Sequence, residues 1–388
     1  MVDDRDDVST GDVAVWNALR LSARIACTDE DYERLRGAVA SLRDWERFSL
    51  SVEAHGLTPL VNHHFAQATI TPPLAARQQL VGLGIHHREA IRVRLGALDE
   101  ILESFERASI RVVILKGAAL AHMLYPSVVL RPFSDIDLLV ERAAAGRAQS
   151  ALSSLGFHEP QAPQSRGTPR GHHHLPVMTK TYDGHPVPIE IHIDALSRDS
   201  GVSLSMDHLG APPQPLTINA RRAWTLGHVD MLHHLARQAA ESATLFRLMW
   251  VADIVGYAAR YHDVIDWSDV RRRYPFVINA LSLLHLVTPL PPSLRDHVAP
   301  TRDAHLRGVG ISSKPLSEII KRNRPLRSMA RDLFDPSDWW LRLHYGLDDR
   351  AWLWWHRGVT HPLGVTQWLV RRAATRGSFR PAVAADLN

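Results

Sequence analysis

Three acidic side chains in two short alternating stretches could hold divalent cations. In "RPFSDIDLLV", residues 131–140, Asp135 and Asp137 stand two residues apart inside an apolar run. Along a strand, residues i and i+2 share a face and lie roughly 6.6 Å apart. The two carboxylates therefore project together while Ile136 and Leu138 face a core. Bare carboxylates on a half-buried face repel each other and are costly to desolvate. A divalent cation between them removes that objection, and Mg²⁺ commonly binds through one or two carboxylates plus substrate phosphate oxygens. Paired metals roughly 3.5–4 Å apart activate the attacking oxygen and stabilise the leaving one in phosphoryl transfer. A third acid comes from "IEIHID", residues 189–194. There Ile189, Ile191 and Ile193 face one way, and Glu190, His192 and Asp194 the other. Glu190, next to the preceding turn, is the candidate third ligand; His192 is the next choice, as ligand, base or support behind the ligands.

A lone D-x-D is a weak signal, since most such pairs mark solvated strand ends or turns. The elements around it add weight. "IRVVILKG" is a β-branched run ending at Gly117, and "AALAHMLY" then reads as a helix stopped by Pro126. "DIDLLV" is a second strand, and "AAAGRAQSALSSLGF" a helix with Gly156 at its end. "VMTKTYDGHPVPIEIHIDAL" reads as a hairpin turning at Asp183-Gly184. Residues 12 to 108 carry apolar residues at helical spacing, interrupted by "TPP" at 71–73, with Leu95, Leu98, Ile101 (or Leu102) and Phe105 on one stripe. From about 216 the helical period returns, with Leu245, Leu248, Ala252, Val255 and Ala259 as its stripe. Three regions follow: helices over 1–108, an α/β core over 109–215, and a helical domain with a Trp-rich tail over 216–388.

"LKGAALAHMLYP", "LRPFSDIDLLV", "LSSLGF" and "IEIHI" together resemble the bacterial uncharacterised nucleotidyltransferases, a branch of the DNA polymerase β-like superfamily. The resemblance extends to "SVEAHGLTPLVNHHF" upstream and "LFRLMWVADIVGYAARYHDVIDWSDV" downstream, covering about residues 40–295. It implies an α+β fold: a small mixed β-sheet core with helices, flanked by N- and C-terminal helical regions. It implies transfer of a nucleoside monophosphate from an NTP, such as ATP, to a hydroxyl or similar acceptor, with release of pyrophosphate. Asp135, Asp137 and Glu190 would then be the catalytic residues and would hold Mg²⁺, as two ions. Lys116, Gly117, Ala118, Arg131 and Ser134 would line the nucleotide, with Gly117 letting the backbone approach the phosphates and the next helix aiming its amides at them. His192, Arg247 and Asp253 would contact substrate or support the ligands. Two departures stand out. Ala118 follows Gly117 where the superfamily has Ser or Gly, and the gap from Gly117 to Asp135 is longer than usual. They leave a nucleotide-binding regulatory module as one alternative; a metal-dependent hydrolase using Asp135, Asp137 and the histidines is another.

Composition sets the bounds. The chain has 388 residues, 45% hydrophobic and 22% charged, long enough for two or three cores. The net charge of +4 is too small to name nucleic acid as a partner. Only four of the 45 basic residues are lysine, and one of them, Lys116, stands beside the candidate site. The single Cys27 excludes an internal disulfide framework and argues for a reducing compartment. The N-terminus is acidic rather than signal-like, and no apolar run approaches the roughly 20 residues that span a bilayer. The expectation is a cytoplasmic protein acting on a nucleotide and an acceptor: small molecule, peptide, protein or RNA end. Further motifs have plain readings. His172–His174 cannot all face one ion on a strand and read as a loop, either exposed or touching substrate. His228, His233 and His234 read as helix residues with local hydrogen bonds. Arg247, Trp250 and Asp253 flank the apolar stripe, as substrate contacts or as part of a structural Arg–Asp pair. The six tryptophans of the tail, Trp339 to Trp368, read as packing for a terminal helix, with a partner or membrane-surface helix as the alternative.

Overall fold

The computed structural model describes residues 10–159, 173–197, 202–241, 246–301, 334, 336–348 and 351–377. His172, Leu245 and most of the Pro/Gly/Gln-rich stretch before it, residues 160–172, lie outside the described residues. Six strands, β1 (Val112–Ile114), β2 (Ile136–Val140), β3 (Met178–Tyr182), β4 (His185–His192), β5 (Gln214–Ile218) and β6 (Arg221–Thr225), form one mixed sheet. Their order is β3-β4-β2-β1-β6-β5. The α+β reading holds.

Five helices precede the sheet: α1 (Thr10–Ser22), α2 (Asp29–Ala40), α3 (Trp45–Ala54), α4 (Thr58–Gln67) and α5 (Leu74–Arg107). α2 opens on a capping box in which the Thr28 hydroxyl accepts from Asp31 N–H and Asp31 accepts from Thr28 N–H. α5 starts directly after the Pro72-Pro73 break, and its stripe of Leu95, Leu98, Ile101, Leu102 and Phe105 is buried. Between strands lie α6 (Lys116–Met123) and α7 (Ala145–Ser154); the latter ends before Gly156, whose φ of +87° is the left-handed stop a glycine permits. The β3–β4 hairpin turns on Asp183 (φ 48°) and Gly184 (φ 79°), a two-residue connection suited to the strand twist.

The helical period does not return at 216. Residues 214–225 instead form the β5–β6 hairpin, and β6 runs parallel to β1, with Thr225 beside Ile114 and its hydroxyl donating to the Ile114 carbonyl at 2.7 Å. Helices resume with α8 (His228–Glu241), α9 (Leu248–Arg260), α10 (Trp267–Arg273), α11 (Pro275–Leu284) and α12 (Pro292–Arg295). α13 (Asp338–Tyr345) and α14 (His361–Gly377) close the described chain. Buried apolar residues from Val15 to Leu343 form one continuous cluster. The tryptophans divide: Trp339 and Trp340 are buried in α13, as expected, but Trp352, Trp354 and Trp355 are exposed. The Trp368 side chain lies outside the described residues. Among the described residues, no helix is long and apolar enough to cross a membrane.

Candidate active site

β2 runs between β1 and β4 and is buried along its whole length. Its parallel pairing with β4 sets Asp137 beside Glu190 and Leu139 beside His192. Side chains at paired positions share a face, so the alternation of "IEIHI" delivers Glu190 and His192 to the side occupied by Asp137. One ligand atom from each of Asp137, Glu190 and His192 lies within 4.8 Å of the others. Asp135 sits one residue before β2, half-buried, with Ser134 Oγ donating to its Oδ1 at 3.3 Å.

Asp137 is 2% exposed, yet it remains ionised because it is surrounded by donors. His192 Nε2 lies 2.8 Å and Lys116 Nζ 3.1 Å from the same Oδ1. Burial alone would raise this carboxyl; the Lys116 ammonium and the His192 hydrogen bond outweigh it and hold the group well below the usual carboxylate range. Asp135 moves the other way, pushed up by burial and by the neighbouring Asp137 carboxylate. Glu190 is pulled down chiefly by its hydrogen bond to His192, at 3.3 Å. Burial disfavours charge on His192, but the bonds to Asp137 and Glu190 prevail and raise it. Lys116 is likewise raised, since Asp137 and Asp135 overcome its desolvation. The Lys116 ammonium and the His192 ring, bonded to Asp137 and Glu190, thus offset acids that a divalent ion could also neutralise.

The turn that delivers Lys116 is tight. Lys116 enters α6 with a φ of 42°, sparsely populated for a residue with a side chain. A Cβ at Gly117 would lie 2.5 Å from Arg131 Nη1 and 2.6 Å from the Phe133 Cβ, so the glycine is required by the segment packed against it. Arg131 is 5% exposed and bound to Asp253 of α9, with Nη2–Oδ2 at 2.8 Å and Nε–Oδ1 at 3.5 Å. The Tyr125 hydroxyl donates to the same carboxylate at 2.7 Å. Lys116, Gly117, Ser134, Asp135 and Asp137 open onto a cavity of about 570 Å³. Glu53 of α3, His87 and Arg94 of α5, and Arg247 and Trp250 at the start of α9 line its other walls.

The family described as uncharacterised nucleotidyltransferase matches residues 41–285, well over half of the chain. The chain belongs to this nucleotidyltransferase family. Two solved structures are similar over 48% of the chain, each with a TM-score of 0.32. One is the antibiotic-resistance factor ANT(2'')-Ia, 13% identical and matched over 95% of its own length. The other is an antigenic nucleotidyltransferase-like protein from Paracoccidioides brasiliensis, 16% identical and matched over 92%. No curated protein matches the sequence.

In this nucleotidyltransferase the residues singled out from sequence fall into two groups. Lys116, Gly117, Arg131, Ser134, Asp135, Asp137 and Arg247 line the cavity, and Glu190 and His192 stand behind Asp137 on the next strand. Ala118 is buried in the core, so it offers the cavity no side-chain group. Arg131 and Asp253 form a buried structural pair, with Arg131 in place of Arg247 as the partner of Asp253. Two features carried no usable sequence signal. Arg94 lines the cavity within electrostatic reach of Asp135, and its Nε is buried without a hydrogen-bond partner among the described residues. The histidine run is tied to the sheet: Ile193 N–H donates to the His173 carbonyl at 2.8 Å, and Leu175 N–H to that of Ile191 at 2.8 Å. This places the His173 and His174 rings 5.6 and 5.5 Å from the His192 ring. Burial, then the neighbouring His192 and His174, lower His173 to about 4, which makes it neutral. His234 of α8, against expectation, makes no local hydrogen bond among the described residues; it is buried and held neutral by desolvation.

Proposed function

We propose that the protein transfers a nucleoside monophosphate from an NTP to an acceptor hydroxyl or similar nucleophile, releasing pyrophosphate. One observation carries this reading: Asp137 and Glu190 lie side by side on adjacent parallel strands, with Asp135 and Lys116 at the cavity mouth. The donor set fits a divalent cation, since two carboxylates and an imidazole approach one another within 4.8 Å. Asp137 and Glu190 would hold the ion, with Asp135 completing the acidic set and His192 orienting Asp137. Mg²⁺ is the ion expected, and when bound it would draw negative charge from the phosphates and from the attacking oxygen.

The chain's own groups do the rest. Lys116 stands where it can pass from Asp137 to a phosphate oxygen once a cation takes over the carboxylate. Arg94 and Arg247 offer further positive charge along the cavity wall. The α6 amides after Gly117 would face a phosphate in the cavity, and the Ser134 hydroxyl, turning from Asp135, would supply the donor that Ala118 lacks. Asp135, lining the cavity beside Asp137, is the group placed to accept the acceptor's proton. Trp250 gives a flat apolar wall for a base or acceptor.

The test is incubation of the purified protein with each α-labelled NTP, Mg²⁺ and cell extract. Label on a new acceptor with stoichiometric pyrophosphate supports the reading. Binding of NTP without turnover over many acceptors would favour a regulatory module. Acceptor-independent hydrolysis would favour the hydrolase.

A further inference from the structure

The proposed reaction leaves one conspicuous surface unused. Beyond α13 the chain makes a helical turn at Leu353–Trp355, a π-helical turn at His356–Thr360 and then α14. It exposes several large apolar side chains: Trp352, Trp354 and Trp355 are 71%, 65% and 48% exposed, and Leu363 and Val370 are 57% and 62% exposed. Trp352 and Trp354 stack with ring centres 6.1 Å apart, and Trp355 meets Trp354 edge-on at 5.9 Å. Leu363 and Val370 are one heptad apart and so share a helix face. The inner side is fastened to the body. Arg357 pairs with Asp338, the Tyr345 hydroxyl meets His361 Nδ1 at 3.1 Å, and His361 and Val365 are buried. The tryptophans are therefore presented by a seated segment rather than carried on a loose end. Soluble proteins scatter exposed apolar side chains singly; a contiguous patch marks a surface that something covers.

Charge identifies what covers it. Residues 351–385 contain no Asp or Glu, although the chain as a whole has 41 acids in 388 residues. Besides Arg357, which is paired with Asp338, the same stretch holds Arg371, Arg372, Arg376 and Arg380. Two copies meeting through this stretch would bring together two sequences with arginines and no acids, which disfavours self-association. Tryptophan settles at the headgroup level of a bilayer. A segment with exposed Trp and Leu, and with arginines and no acids in its sequence, has the composition of one lying in that interface. We propose that the segment 352–377 docks the protein on an anionic lipid surface, lying along it without spanning it. This is independent of the reaction proposed above.

Flotation of the full chain with phosphatidylglycerol–phosphatidylcholine vesicles, and with phosphatidylcholine alone, tests the proposal. The expected result is binding to the anionic vesicles, weakened by salt, with roughly fivefold affinity per basic residue engaged. Trp352→Ser/Trp354→Ser/Trp355→Ser should lower partitioning by about tenfold or more, since binding scales with the apolar area inserted. Trp224→Ser, at an exposed tryptophan on β6, should leave it unchanged. Arg371→Glu/Arg372→Glu should weaken binding to anionic vesicles without touching the aromatic patch. The proposal is overturned if the wild-type chain fails to float with anionic vesicles, or if the triple variant floats as well as wild type. It is equally overturned if light scattering shows a dimer that the triple variant converts to monomer while vesicles are ignored.

Discussion

Replacing Asp253 by asparagine tests how the helical flank holds the turn at Lys116-Gly117. Asn preserves shape and keeps an oxygen for the Tyr125 hydroxyl, now 2.7 Å from Oδ1. What it removes is the negative charge facing Arg131, whose side chain is 6% exposed and has Nη2 2.8 Å from Oδ2. Breaking a buried pair from one side leaves an uncompensated charge and costs about 3–5 kcal/mol. Replacing both partners, as Arg131→Met/Asp253→Leu, should recover most of that loss, because no charge is left stranded. The turn should feel the single change as well. Arg131 Nη1 occupies the space where a Gly117 side chain would begin, and Gly117 adjoins the Lys116 that contacts Asp137. A shift of about 1 Å there can lower turnover by up to about a hundredfold. Thermal melting of wild type, Arg131→Met, Asp253→Leu and the double variant gives the cycle, with Asp253→Asn melted beside them, and single-turnover assays give the coupling. The reasoning is refuted if Asp253→Asn melts with wild type, or if the double variant is no more stable than the singles.

Gly117→Ala should destabilise the fold by about 1–3 kcal/mol, because the Phe133 Cβ 2.6 Å away belongs to a packed segment and cannot swing aside; an unchanged melting temperature would contradict the close approach. His64 is fully buried and lowered by desolvation from 6.5 to about 4, with Nε2 donating to the Arg24 carbonyl. The unfolded chain therefore binds the extra proton first, so this contribution is complete above pH 6.5 and is lost toward pH 4, by about 3 kcal/mol. His64→Gln should flatten the stability profile across that window, and an unaltered slope would exclude His64 as its source. Glu190→Gln should weaken Mn²⁺ binding, followed by electron paramagnetic resonance, by about tenfold or more; equal affinity would remove Glu190 from the ligand set.

Much of the site was legible because its signals are local. Alternation in "IEIHI" put Glu190 and His192 on one face, and the Asp183-Gly184 turn fixed the hairpin. The parallel register between β2 and β4 then did what no local pattern can, bringing 137 next to 190. The β5–β6 hairpin is hard to read because its strands are five residues each and hold few apolar residues: only Leu216, Ile218, Ala223 and Thr225 are buried. Its turn uses Asn219-Ala220 at φ 46° and 68°, without the glycine that usually announces such a bend. The Arg131–Asp253 pair spans 122 residues of sequence, so neither residue could name its partner. The histidine run looked like a loop because the backbone bonds that seat it against β4 depend on residues some 20 positions away.

The central claim is that the acids on β2 and β4 support transfer of the α-phosphoryl group of an NTP. The direct measurement compares α- and γ-labelled NTP with wild type and Asp137→Asn, folding being checked by circular dichroism. The account expects the α-label on the acceptor and the γ-label in pyrophosphate, with divalent-ion dependence and a loss of at least about a thousandfold in the folded variant. Full turnover by Asp137→Asn, or γ-label on the acceptor, would contradict it.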